Sequence, residues 1–184
     1  GIGGNGSTVT IENKSNITAS GTYGVGIGGY GKADVTIKDS TIESATTGTN
    51  NPNAGIGSSI NGSGTVKIIG STVKNASGSI GIGSGIGTVT IEGSNIVNAE
   101  GSTLGISGGE INILEKSHIN NATGNATGIG GNDGTTITVS NSTLDTVKGG
   151  TTGIGSGTPG KKADVTITNS TIGTVTGEEG AGIG

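Results

Sequence analysis

Thirteen acidic side chains and a single histidine are the first candidates in this 184-residue chain for moving protons. Asp34, Glu110 and Asp164 each stand one residue before an alternating aliphatic stretch: Val35-Thr36-Ile37, Ile111-Asn112-Ile113 and Val165-Thr166-Ile167. Two carboxylates held roughly 5 to 10 Å apart could hydrolyse a glycoside. These three fall in the second, fifth and seventh repeats of the chain, so stacked repeats separate them by roughly 10 to 24 Å, too far for that chemistry. His118 precedes Ile119 at an outward position and reads as an exposed strand residue. Asn132-Asp133-Gly134 offers oxygen ligands, but one carboxylate is too few for calcium, and the tripeptide supplies the positive-φ positions of a tight turn. Lys161-Lys162 reads as solvated surface. We expect no catalytic residue, no metal ligands and no cofactor.

Two other sets of residues could bind rather than react. Thr8, Thr10, Thr36, Thr65, Thr88, Thr90, Thr136, Thr138 and Thr166 recur at outward strand positions. Two ranks of Thr at solenoid spacing resemble the ice-binding faces of antifreeze β-solenoids, although Asp34, Lys67, Glu110 and Asp164 interrupt the ranks and Thr is also simply a good strand residue. The second set is the glycines Gly26, Gly28, Gly55, Gly57, Gly81, Gly83, Gly128, Gly130, Gly153 and Gly155. If these point outward they leave a bare strip that another backbone or an extended glycan could approach closely, and they also support tight corners.

What positions both sets is a repeat. Gly-Ile-Gly recurs with its Ile at 2, 27, 56, 82, 106, 129, 154 and 183, Ser107 replacing one Gly; the intervals are 25, 29, 26, 24, 23, 25 and 29 residues. An irregular period in the twenties marks stacked coils. Each coil holds three short β segments. In the first, Ile27, Ile56, Ile82, Ile106, Ile129 and Ile154 are the expected core ladder, with the aliphatic two residues earlier on the same face. The second alternates, as in Val9/Ile11 or Val89/Ile91, which is the period of a half-buried strand. The third follows a Ser present in every coil (Ser15, Ser40, Ser71, Ser94, Ser117, Ser142, Ser170), with an aliphatic two residues on and usually a small residue three further, Ala45 or Ala99 for example. That spacing of three predicts a bend or bulge. The first coil is one residue shorter there and uses Ala19.

Three strands in 23 to 29 residues describe an all-β fold: a right-handed parallel β-helix of about seven coils, with handedness taken from the general preference of parallel crossovers. Residues 1–184 read as one solenoid domain. The chain starts and stops within the Gly-Ile-Gly motif, so we expect a segment of a longer array. Variation in coil length falls in Gly-rich turns such as 46–53 and 156–163. With 42 Gly, two Tyr and no other aromatic, the core must be built from Ile, Val, Leu and Ala. A net charge of −4 with nine Lys and no Arg leaves no basic stripe for nucleic acid, and no run nears the roughly 18 apolar residues of a membrane span. Nine Asn-x-Ser/Thr triplets, at Asn5, Asn13, Asn16, Asn61, Asn75, Asn121, Asn125, Asn141 and Asn169, fit the composition and are not assigned as glycosylation sites.

Gly26-Ile27-Gly28-Gly29 and Gly128-Ile129-Gly130-Gly131, each followed by a Thr-Val-Thr-Ile-like strand, carry a resemblance over the whole chain. It resembles the Gly-Ile-Gly-Gly repeat regions of large bacterial cell-surface proteins, frequent in Gram-positive organisms. The resemblance implies an extracellular, non-catalytic stalk or adhesin segment at the bacterial surface, whose partner would be a glycan or a host or neighbouring cell. Uncapped coil ends add an expectation of lateral or end-to-end self-association. Ice binding through the Thr face and polysaccharide binding are the alternative readings.

Overall fold

A computed structural model describes residues 1–48 and 52–184, and it is a parallel β-solenoid of seven turns with no helix among the described residues. Residues 49–51, part of the turn expected at 46–53, lie outside the described residues. The alternating second segments form one seven-stranded parallel sheet: Ser7–Ile11, Ala33–Lys38, Thr65–Ile69, Thr88–Glu92, Glu110–Leu114, Thr135–Ser140 and Ala163–Thr168. Register is kept from coil to coil, Val35 against Val66, Val66 against Val89, Val89 against Ile111, so each inward side chain stacks on its counterpart. Val35, Ile37, Ile68, Val89, Ile91, Ile111 and Ile113 are buried to about a percent exposure or less, and each such burial contributes roughly 1.5 to 3 kcal/mol.

The corner that follows this sheet explains the repeated Ser. One residue, Asp39, Gly70, Gly93, Asn141 or Asn169, takes the left-handed conformation and turns the chain; the first and fifth coils use two, Asn13-Lys14 and Glu115-Lys116. Asn, Asp and Gly tolerate that conformation best. The Ser after the corner donates its hydroxyl to a carbonyl just upstream, and in the second to fifth and seventh coils it accepts the amide N–H of the Ser one coil earlier, while Ser117 N–H bonds Leu114 O instead. Ser40 N–H reaches Ser71 Oγ at 3.1 Å, and Ser71 N–H reaches Ser94 Oγ at 3.0 Å. In Asn141-Ser142-Thr143 and Asn169-Ser170-Thr171 the triplet supplies the corner residue, the Ser after it and an outward strand Thr, and Ser170 Oγ accepts the Ser142 N–H at 3.2 Å.

The third and first segments share the second sheet. The expected bend is present: in the third and fourth coils the strand breaks at Lys74-Asn75 and Val97-Asn98, between Thr72–Val73 and Ala76–Gly83 and between Asn95–Ile96 and Ala99–Ser107. The shorter first coil shifts register between Ile17 and Thr18 and then pairs Ala19 with Ala45. In the third and fourth coils the end of the third segment runs on into the Gly-Ile-Gly segment as one strand. The Ile ladder is continuous through Ile2, Ile27, Ile56, Ile82, Ile106, Ile129, Ile154 and Ile183, and its six middle members are fully buried in the main core.

Two expectations about this segment are corrected. Gly26, Gly28, Gly55, Gly57, Gly81, Gly83, Gly128, Gly130, Gly153 and Gly155 are all buried and form no bare outer strip. The segment folds back so closely on the third that a Cβ on Gly81 would strike the Ala99–Glu100 backbone, and one on Gly128 would strike Val147 Cγ1. The second Gly of the motif faces the next coil: Gly83, at φ 123°, has its missing Cβ aimed at the Ser107 carbonyl. Close backbone approach is real, but it is made inside the molecule. Also, Ala54, Ile80 and Leu104, two residues before the ladder Ile, pack in a separate small cluster with Ile60 and Ala126 rather than with the main core.

Candidate binding surfaces

The flat sheet presents two outward columns. One runs Thr8, Asp34, Thr65, Thr88, Glu110, Thr136, Asp164, and the other Thr10, Thr36, Lys67, Thr90, Asn112, Thr138, Thr166. Every Thr expected on this face is there, in register, and so are the charged interruptions. Asp34 is not an idle interruption: its Oδ1 accepts both the Thr65 amide, at 2.9 Å, and the Thr65 hydroxyl, at 3.0 Å. Those donors, with Lys32 at 4.0 Å adding attraction, hold the Asp34 carboxyl below its ordinary range. Asp34, Glu110 and Asp164 share the first column but not adjacent coils, so the structure brings no two of them together.

His118 is not a bare exposed imidazole. Its Nε2 lies 2.7 Å from Asp145 Oδ2 in the following coil, and Asn120 Nδ2 donates to the same oxygen at 3.4 Å. The sequence hid this pairing because it joins residues 27 apart. Asn132-Asp133-Gly134 is a turn, with Gly134 at φ 98°, and Asp133 lies 3.7 Å from Lys161. Lys162 is exposed and lies 2.6 Å from Asp164. Among the described residues no three His, Cys, Asp or Glu side chains are grouped for a metal ion, and no helix is long and apolar enough to cross a membrane.

Sequence reading missed two further features. Asn75, Asn98 and Asn121 stack at the bend as an amide ladder: Asn98 Nδ2 donates to Asn75 Oδ1 at 2.9 Å, and Asn121 Nδ2 to Asn98 Oδ1 at 2.6 Å. Their spacing of 23 residues was the available signal. The other is a longitudinal groove at the corner between the third and first segments. Its larger stretch, about 530 Å³, is lined by Glu100, Gly101, Thr123, Gly124, Asn125, Lys148, Gly150, Thr151, Glu178 and Glu179. A stretch of about 300 Å³ continues it past Ser77, Gly78 and Ser102. Lys148 Nζ lies 2.6 Å from Glu178 Oε1 of the following coil, both in the groove lining.

By fold the chain is a parallel β-solenoid with a flat Thr-rich sheet and a polar corner groove. Scans of protein-family models, curated proteins and solved structures returned no match.

Proposed function

We propose that this solenoid is a non-catalytic extracellular module, a stalk or adhesin segment of a bacterial cell-surface protein related to the Gly-Ile-Gly-Gly repeat regions. The observation that supports this reading is the register kept through all seven strands of the flat sheet, together with an Ile ladder that runs from the first coil to the last. At about 4.8 Å per coil the rod is roughly 34 Å long, and an array of such coils lengthens without changing its cross-section. A spacer needs that property, and an adhesin needs regular faces on it. Antiserum raised against the solenoid tests the role on the source organism: it should label intact cells. Labelling confined to permeabilised cells would overturn the proposal.

Ice binding is the second reading, and the in-register Thr columns favour it. Against it stand Asp34, Lys67, Glu110 and Asp164 on the same face. Thermal hysteresis and ice-crystal shaping by the purified solenoid would support it; freezing behaviour equal to that of an inert protein at the same concentration would remove it.

A further inference from the structure

We infer that the corner groove is a binding site for an extended, uncharged polysaccharide lying parallel to the solenoid axis. This gives the adhesive half of the proposed role a ligand and rests on that reading. Strand register aligns its wall, because Ser20, Thr46, Ser77, Glu100, Thr123 and Lys148 occupy one column in successive coils, and the two stretches at the third to seventh coils meet at Glu100, Gly101 and Asn125. The residues that follow those of the column, Gly78, Gly101, Gly124 and Gly149, face inward against neighbouring backbone and hold the turn close, so the column side chains themselves form the groove wall. From the third coil to the seventh the groove spans roughly 19 Å, the length of several sugar rings in an extended chain. At the first two coils the same column borders a separate stretch of about 250 Å³ lined by Ser20, Thr46 and Thr47. Tyr23 stands in the adjoining turn with 85% of its surface exposed, a ring open to stacking.

The lining chemistry selects the polymer. A peptide strand would need unpaired main-chain groups, yet the amides here are used between coils: Gly150 N–H donates to Gly124 O, Thr151 N–H to Ala126 O and Glu178 N–H to Gly149 O. The groups left to face a ligand are hydroxyls, an amide and carboxylates, which match sugar hydroxyls. With Lys148 paired to Glu178, the charges of Glu100 and Glu179 remain. They disfavour an acidic polysaccharide and nucleic acid alike. The carboxylates are also spread along the groove rather than gathered, Glu100 lying three coils from Glu178, so they do not form a cation cage.

The test titrates the isotopically labelled solenoid with β-1,4-linked glucose, xylose, mannose and N-acetylglucosamine hexasaccharides, and with polygalacturonate, followed by amide NMR shifts. One uncharged hexasaccharide should shift Ser77, Glu100, Thr123, Asn125 and Thr151, and should bind more tightly than its trisaccharide. Thr123→Trp, which fills the groove from its wall, should weaken binding by at least about tenfold at unchanged melting temperature. Thr138→Trp on the flat sheet should leave it unchanged. Should Thr123→Trp fail to fold, Asn125→Trp in the exposed turn carries the same expectation. Absence of binding by every uncharged hexasaccharide, tighter binding of polygalacturonate, or shifts confined to the Thr columns would overturn the inference. Cell-surface labelling with failed sugar binding would leave the stalk role standing alone.

Discussion

Ser94 shows how much one small residue carries in this fold. Its Oγ accepts the Ser71 amide at 3.0 Å and lies 2.8 Å from the Glu92 carbonyl to which it donates. It is almost fully buried, so removing the hydroxyl strands the Ser71 N–H away from water. Ser94→Ala should cost about 1 to 3 kcal/mol in urea unfolding, whereas Asn112→Ala on the outer sheet should stay within about 0.5 kcal/mol. A Ser in every coil was plain in the sequence. Its purpose was not, because each ladder bond joins residues 23 or more apart and depends on the left-handed residue placed just before it. The same holds for His118, whose partner Asp145 is set by lateral stacking that local pattern does not reveal.

Among the elements, the alternating strands were legible because burial follows a period of two, while the Gly-Ile-Gly segment was legible only in part. Its Ile ladder was read correctly and its glycines were turned the wrong way, since alternation assumes a strand with one free face and here both faces are covered. The strand bend was foreseen from the spacing of three, but its Asn ladder was not. Asn98→Leu removes both ladder bonds, leaving Asn75 Oδ1 and Asn121 Nδ2 without their partner, and should cost about 1 to 2 kcal/mol in the same unfolding assay. Asp34 makes the flat sheet sensitive to acid. Its folded pKa lies below the ordinary 3.8, so its contribution is full above that value and fades as pH falls through the lower folded one. Melting temperature should therefore fall more steeply below about pH 4 in the wild type than in Asp34→Asn. Solvent screening keeps the difference under about 1 kcal/mol.

For the whole molecule, stability is the sum of coils and the contacts between neighbours, so damage to a middle coil should divide the rod. Ile91→Asp places a charge among fully buried aliphatics in the fourth coil and should replace a single unfolding transition by separate ones. An unchanged single transition would contradict the register. That register rests on the closeness of the first and third segments, a closeness possible only because the glycines between them have no side chain. Urea unfolding of Gly81→Ala beside Gly24→Ala tests this most directly, since a Cβ at Gly81 meets the Ala99–Glu100 backbone and the Gly105 carbonyl, and one at Gly24 meets nothing within 4 Å. Gly81→Ala should lose about 1 to 3 kcal/mol and Gly24→Ala should change by less than about 1 kcal/mol. Equal stability of the two variants would place the glycines back on an outer face and contradict the account.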